Sequence, residues 1–88
     1  MEEKRIIVYV DMFAMTQPVM YRNGTQVKKL GDFYLDDLTN TLVEICVEYG
    51  VEKIHLFGSQ DYLTRIADDI EENAKTKYKR NNIEVEIN

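Results

Sequence analysis

Val19-Met20-Tyr21-Arg22-Asn23-Gly24-Thr25-Gln26-Val27-Lys28-Lys29-Leu30 is the stretch on which the fold turns. Asn-Gly supplies the two positive-φ positions of a type I′ turn, the connection that matches the twist of two antiparallel strands. The stretch therefore predicts a hairpin, with strands over Val19 to Arg22 and Gln26 to Leu30. Upstream, Ile6-Ile7-Val8-Tyr9-Val10 is β-branched and apolar on both faces, the pattern of a central strand covered on two sides. Between the two lies Asp11 to Pro18, with two Met, Phe13 and the only Pro, which limits helix around it.

Downstream the period changes. Gly31-Asp32 ends the hairpin, and Asp32 is placed to cap a helix. Leu35, Leu38, Leu42, Ile45, Cys46 and Tyr49 recur at three- and four-residue spacing, one stripe of that helix, and Gly50 stops it. Glu52 to Phe57 predicts a second buried strand. Ser59 then caps a second helix with the inner stripe Leu63, Ile66, Ala67, Ile70, Ala74 and Tyr78, and Asn81-Asn82 breaks it. Ile83-Glu84-Val85-Glu86-Ile87 alternates strictly, as a half-exposed edge strand does.

The expected fold is a single α/β domain over residues 1–88. Its element order is strand, strand, strand, helix, strand, helix, strand, making a five-stranded mixed sheet. Crossovers between parallel strands are right-handed. With the hairpin on one side of the first strand and the last two strands on the other, both helices lie on one face. Ile6, Val8, Val10, Ile54, Leu56, Ile83, Val85 and Ile87 then face the helices. Ile7, Tyr9, His55 and Phe57 face the other way, where no element remains to cover them. An uncovered apolar patch of this kind marks an interface, so these four residues are the expected contact surface for a second copy or a protein partner. Met12, Phe13 and Met15 flank it as a docking loop, since flexible Met suits adaptable contacts.

Composition narrows the function classes. Eighty-eight residues with 44% hydrophobic content and six Tyr and three Phe suffice for one small core. Sixteen acids against eleven bases leave a net charge of −5, which disfavours a nucleic-acid backbone as the main ligand. Lys75, Lys77, Lys79 and Arg80 form a local basic cluster that complements the dipole of the second helix first and suggests RNA or DNA second. Cys46 is the only cysteine and His55 the only histidine, so neither a disulfide nor a structural zinc cluster is expected. Met1-Glu2-Glu3 is unlike a signal peptide, and the run from Ile6 is too short to span a membrane. A cytoplasmic setting is expected, with no membrane partner.

Strand ends and helix starts carry the acids that bear on catalysis. Asp11 follows the first strand, Asp61 follows the second buried strand, and Asp36 and Asp37 open the first helix. Together with the element order, these residues resemble the ribonuclease H-like superfamily over nearly the whole chain. The resemblance implies a metal-dependent nuclease in which Asp11, Asp61 and Asp36 or Asp37 would hold Mg²⁺ or Mn²⁺ against a phosphodiester. The same acids have plainer roles: Asp36, Asp37 and Asp61 complement helix dipoles and Asp11 ends a strand. Gly58-Ser59 carries no phosphate-loop motif, and Ser59 has no His and Asp arranged around it.

The leading expectation is a small non-enzymatic accessory protein without a cofactor, acting through the uncovered sheet face. Its size alone suggests a phage or mobile element as a source. The nuclease and a nucleic-acid-binding accessory protein stand behind it.

Overall fold

The computed structural model describes residues 3–59 and 61–88. Met1 and Glu2, read above as unlike a signal peptide, lie outside the described residues. The chain forms β1 (Lys4–Tyr9), β2 (Met15–Thr16), β3 (Val19–Arg22), β4 (Thr25–Lys29) and β5 (Phe33–Tyr34). These are followed by α1 (Leu35–Tyr49), β6 (Lys53–Phe57), α2 (Leu63–Tyr78) and β7 (Glu84–Ile87). The protein is therefore α/β, with a five-stranded mixed sheet ordered β4-β3-β1-β6-β7 and two helices. β1 pairs with β3 antiparallel and with β6 parallel, and β6 pairs with β7 parallel.

The hairpin forms on its turn. Asn23 and Gly24 sit at φ 52° and 83°, as a type I′ turn requires. Asn23 is tied further, because its Oδ1 accepts from the Glu3 amide at 2.9 Å and its own amide donates to the Glu3 carbonyl at 2.8 Å. A register shift between Met20 and Tyr21 bulges the β3–β4 ladder.

The element order differs from the expected one by two short strands. Met15–Thr16 and Phe33–Tyr34 pair antiparallel as a separate ribbon at the carboxyl end of β1. Thr16 is buried there, and its hydroxyl donates to the Phe33 carbonyl at 2.8 Å, which satisfies the buried oxygen. That pairing joins segments 17 residues apart, so no local pattern announced it.

Three end signals read differently in three dimensions. Asp32 does not cap α1: the cap position is Tyr34, without a side-chain hydrogen bond, and Asp32 Oδ1 instead accepts from Gln17 Nε2 at 2.9 Å. The intervening β5 carries the chain past the point where Asp32 could reach the helix. Ser59 does not cap α2 either, since that helix starts at Leu63 behind Tyr62. At its far end Lys79, in the left-handed conformation, stops the helix before Asn81-Asn82. Gly50, at φ 70°, ends α1 as expected.

The core lies between the sheet and both helices. Ile6, Val8, Ile54 and Leu56 of the sheet are fully buried with Leu38, Leu42 and Val43 of α1 and Ile70 of α2. The apolar stripes of both helices are buried at Leu35, Leu38, Leu42, Cys46, Leu63, Ile66, Ala67, Ile70 and Ala74. Ile45, Tyr49 and Tyr78 are only partly buried. Ile83, just ahead of the edge strand β7, is buried, Val85 half-buried and Ile87 exposed. Among the described residues no helix is long and apolar enough to cross a membrane.

Candidate functional site: the open face of the sheet

Pleating sends alternate residues of each strand to opposite faces. The side away from the core can therefore be written out from the pairing registers. One row runs Lys29, Val19, Ile7, His55, Glu86 from β4 to β7. The row below it runs Gln26, Tyr21, Arg5, Lys53, Glu84. Above them, Tyr9 pairs with Phe57. Their rings stack with centroids 5.0 Å apart. No described element packs over these rows, and Tyr9 is 60% exposed.

The four face residues expected from sequence do share this side, but they are not equally open. Ile7 and Phe57 are half-buried, while His55 is only 9% exposed. Polar neighbours cover the imidazole. Arg5 Nη1 lies 3.3 Å from Nε2, Glu86 Oε2 lies 3.5 Å from Nδ1, and the Asn88 amide nitrogen lies 3.4 Å from the same Nδ1. A guanidinium only donates, so in its contact with Arg5 the Nε2 atom is the acceptor. Arg5 also pairs with Glu3. Lys53 reaches Glu86 at 3.2 Å and Glu84 at 3.4 Å. The Glu86 contact, helped by Glu84, raises the Lys53 ammonium above its ordinary pKa.

The flanking loop is shaped by Asp11. Its Oδ1 accepts from the amides of Phe13 at 2.8 Å and Met15 at 2.9 Å, and its carbonyl accepts from the Ala14 amide at 3.1 Å. Ala14 takes a positive φ of 61° to close the turn. The loop so held leaves Met12 80% and Phe13 78% exposed. Met15 is turned into the β2–β5 ribbon opposite Tyr34 and is half-buried, so it is set apart from the other two.

The strand-end acids are all exposed. Asp36 and Asp37 sit exposed in the first turn of α1, and Asp61 is exposed in the turn ahead of α2 rather than in its first helical turn. Asp11 spends an oxygen on two loop amides. Among the described residues no three of His, Cys, Asp and Glu converge so as to hold a metal ion. No grouping of described residues thus matches the Mg²⁺ or Mn²⁺ site that the ribonuclease H-like resemblance implies.

The remaining candidates have structural partners. Cys46 is 1% exposed in the core, and burial pushes its thiol up to about 12. Lys75 and Lys77 lie in the last turn of α2, where their charge meets the carbonyl end of the helix. Lys77 Nζ donates to Asn40 Oδ1 on α1 at 3.0 Å. Lys79 and Arg80 follow the helix, both exposed.

Sequence reading passed over Arg5, Lys53, Glu84 and Glu86 on the open face. Pleat parity with Ile7 and His55 would have found the first two. Val19, Tyr21 and Lys29 needed the β1–β3 and β3–β4 registers, which only pairing reveals. No protein-family model matches this chain, and no curated protein matches it either.

Proposed function

We propose that this chain is a non-enzymatic binding protein that acts through the open face of its sheet, on a second copy or on another protein. One observation carries the reading: the Tyr9–Phe57 stack lies on the side of the sheet opposite both helices, with Tyr9 60% exposed. Aromatic rings, Met and Arg are the residues that protein interfaces concentrate. This face holds Tyr9, Phe57, Tyr21 and Arg5, and the loop directly after β1 adds Met12 and Phe13. The polar rows around the stack supply the rim that such contacts need.

The same proposal takes the sheet as ribonuclease H-like, which the element order supports once β2 and β5 are set aside as a local ribbon. A cytoplasmic setting belongs to it as well.

Tyr9→Glu tests the reading. It puts a charge in the middle of the patch without touching the core. The wild type is expected to form a complex, seen as a doubled solution mass or as retention of a partner on tethered protein, and Tyr9→Glu is expected to abolish it. Mass and retention that both ignore the substitution would overturn the reading.

A further inference from the structure

The charges on the open face are not scattered. β1 is the middle strand of five, and the row through Ile7 carries opposite charges at its two ends. Lys29 stands at the β4 end of its row and Glu86 at the β7 end. In the next row Glu84 occupies the β7 end and uncharged Gln26 the β4 end. Lys28, the neighbour of Lys29, points to the helix side, where its Nζ reaches the Tyr49 hydroxyl at 3.0 Å. The β4 edge thus carries Lys29 and the β7 edge Glu84 and Glu86, with Ile7, Tyr9 and Phe57 between them beside Arg5 and the Lys53 that bridges both glutamates.

We infer that the open face binds a second copy of this chain, face to face, about a two-fold axis that runs parallel to the strands over β1. This deepens the proposed function and rests on its reading of the face. A two-fold interface is self-complementary, so a residue on one side of the axis meets a different residue from the partner. The axis along β1 brings Glu86 of each copy to Lys29 of the other, and His55 to Val19. Ile7 meets its own equivalent, and the Tyr9–Phe57 stacks of the two copies adjoin. Arg5 lies near the axis as well, where Glu3 of its own chain balances its charge.

The other two-fold in the interface plane runs across the strands. It sets Glu84 and Glu86 against their own equivalents and Lys29 against Lys29, and like charges placed so oppose association. Edge-to-edge pairing of β4 with β7 also matches charge. It is head-to-tail, however, so it does not close on itself and leaves the aromatic stack bare.

Dimensions agree. Packed sheets lie about 10 Å apart and turn about 30° from one another. With β4 and β7 each two strands from the axis, that turn displaces the row ends by only about 5 Å. Lys and Glu side chains span such an offset.

The test exchanges the charges between separate chains. Lys29→Glu and Glu86→Lys are made singly in the full chain, checked for folding by circular dichroism, and followed by light scattering through a dilution series. The wild type is expected to be a dimer. Each variant alone is expected to dissociate at least about tenfold more readily. An equimolar mixture of the two is expected to recover the dimer mass, because each heterodimer rebuilds both opposite-charge pairs. Should Glu86→Lys fail to fold, Lys29→Glu decides alone: a dimer as tight as the wild type's overturns the axis. A mixture that stays monomeric while both variants are folded overturns the axis. A wild type that is monomeric up to about 1 mM overturns the second copy as the occupant, and retention of another protein then decides the reading of the face. A dimer that survives Tyr9→Glu overturns both the axis and the face.

Discussion

Tyr9 and Phe57 stack across the parallel pair β1–β6, with centroids 5.0 Å apart and planes 26° from parallel, on the side of the sheet away from both helices. An aromatic pair is worth about 0.5–1.5 kcal/mol beyond the area it buries. Tyr9 keeps most of its surface open to a partner, while Phe57 is half-buried beneath it. Tyr9→Glu is expected to change the thermal midpoint little and to remove self-association. Parallel melting and light-scattering measurements check both halves.

Asp11 works as a loop cap, so its replacements should separate by hydrogen-bonding capacity and not by charge. Asp11→Ala leaves the exposed Phe13 and Met15 amides to water and is expected to cost about 0.5–1.5 kcal/mol in urea unfolding. Asp11→Asn keeps an oxygen in the same place and should lose a smaller part of that. Equal losses for the two variants would mean that the charge, not the cap, matters.

Gly24 turns the hairpin at φ +83°, and a Cβ there would meet nothing within 4 Å. The cost of Gly24→Ala is therefore conformational alone, about 1–2 kcal/mol for an L-residue held in the left-handed region. A denaturant series on this variant is expected to show that loss with an unchanged slope.

Leu42 is fully buried in the core between the helices and the sheet. Leu42→Ala is expected to destabilise by about 2–5 kcal/mol through lost transfer energy and the cavity left behind. Against a typical total of about 5–15 kcal/mol, that loss should be visible as a lowered melting midpoint. A shift within error would place Leu42 outside the cooperative core.

Alkaline pH should destabilise the fold through Cys46. Burial raises its thiol in the folded state to about 12, whereas the unfolded chain ionises near the ordinary cysteine value. Between those values the folded state holds the proton and the unfolded state has lost it, so stability falls as pH rises. Below that window the group contributes no pH dependence. The thiol is accordingly expected to resist a thiol-selective disulfide reagent at pH 8 until urea unfolds the chain. Rapid labelling of the folded protein would contradict the burial.

Legibility followed range. The hairpin was readable because Asn23 and Gly24 alone set the positive φ values of its turn. Both helices were readable because the stripes from Leu35 and Leu63 repeat every three to four residues. Asp32 and Ser59 were misread as caps for the opposite reason. Asp and Ser favour helix starts in general, but a strand at Phe33–Tyr34 and a turn through Tyr62 displaced the real starts. The candidate site was legible in Ile7, Tyr9, His55 and Phe57, since one pleat parity relates them. The cover over His55 was not, because Arg5, Glu86 and Asn88 reach it from two other strand positions and the segment beyond β7.

Taken alone, the sequence determined the local elements, the identity of the central strands and the inner stripes of both helices, because backbone preference and hydrophobic period act within a few residues. Tertiary structure alone decided the β2–β5 ribbon, the polar cover over His55, and the placing of Lys29 and Glu86 at opposite ends of one row of the open face. Each depends on register between segments far apart in the chain, and register is settled by which pairing buries the most surface with its hydrogen bonds intact.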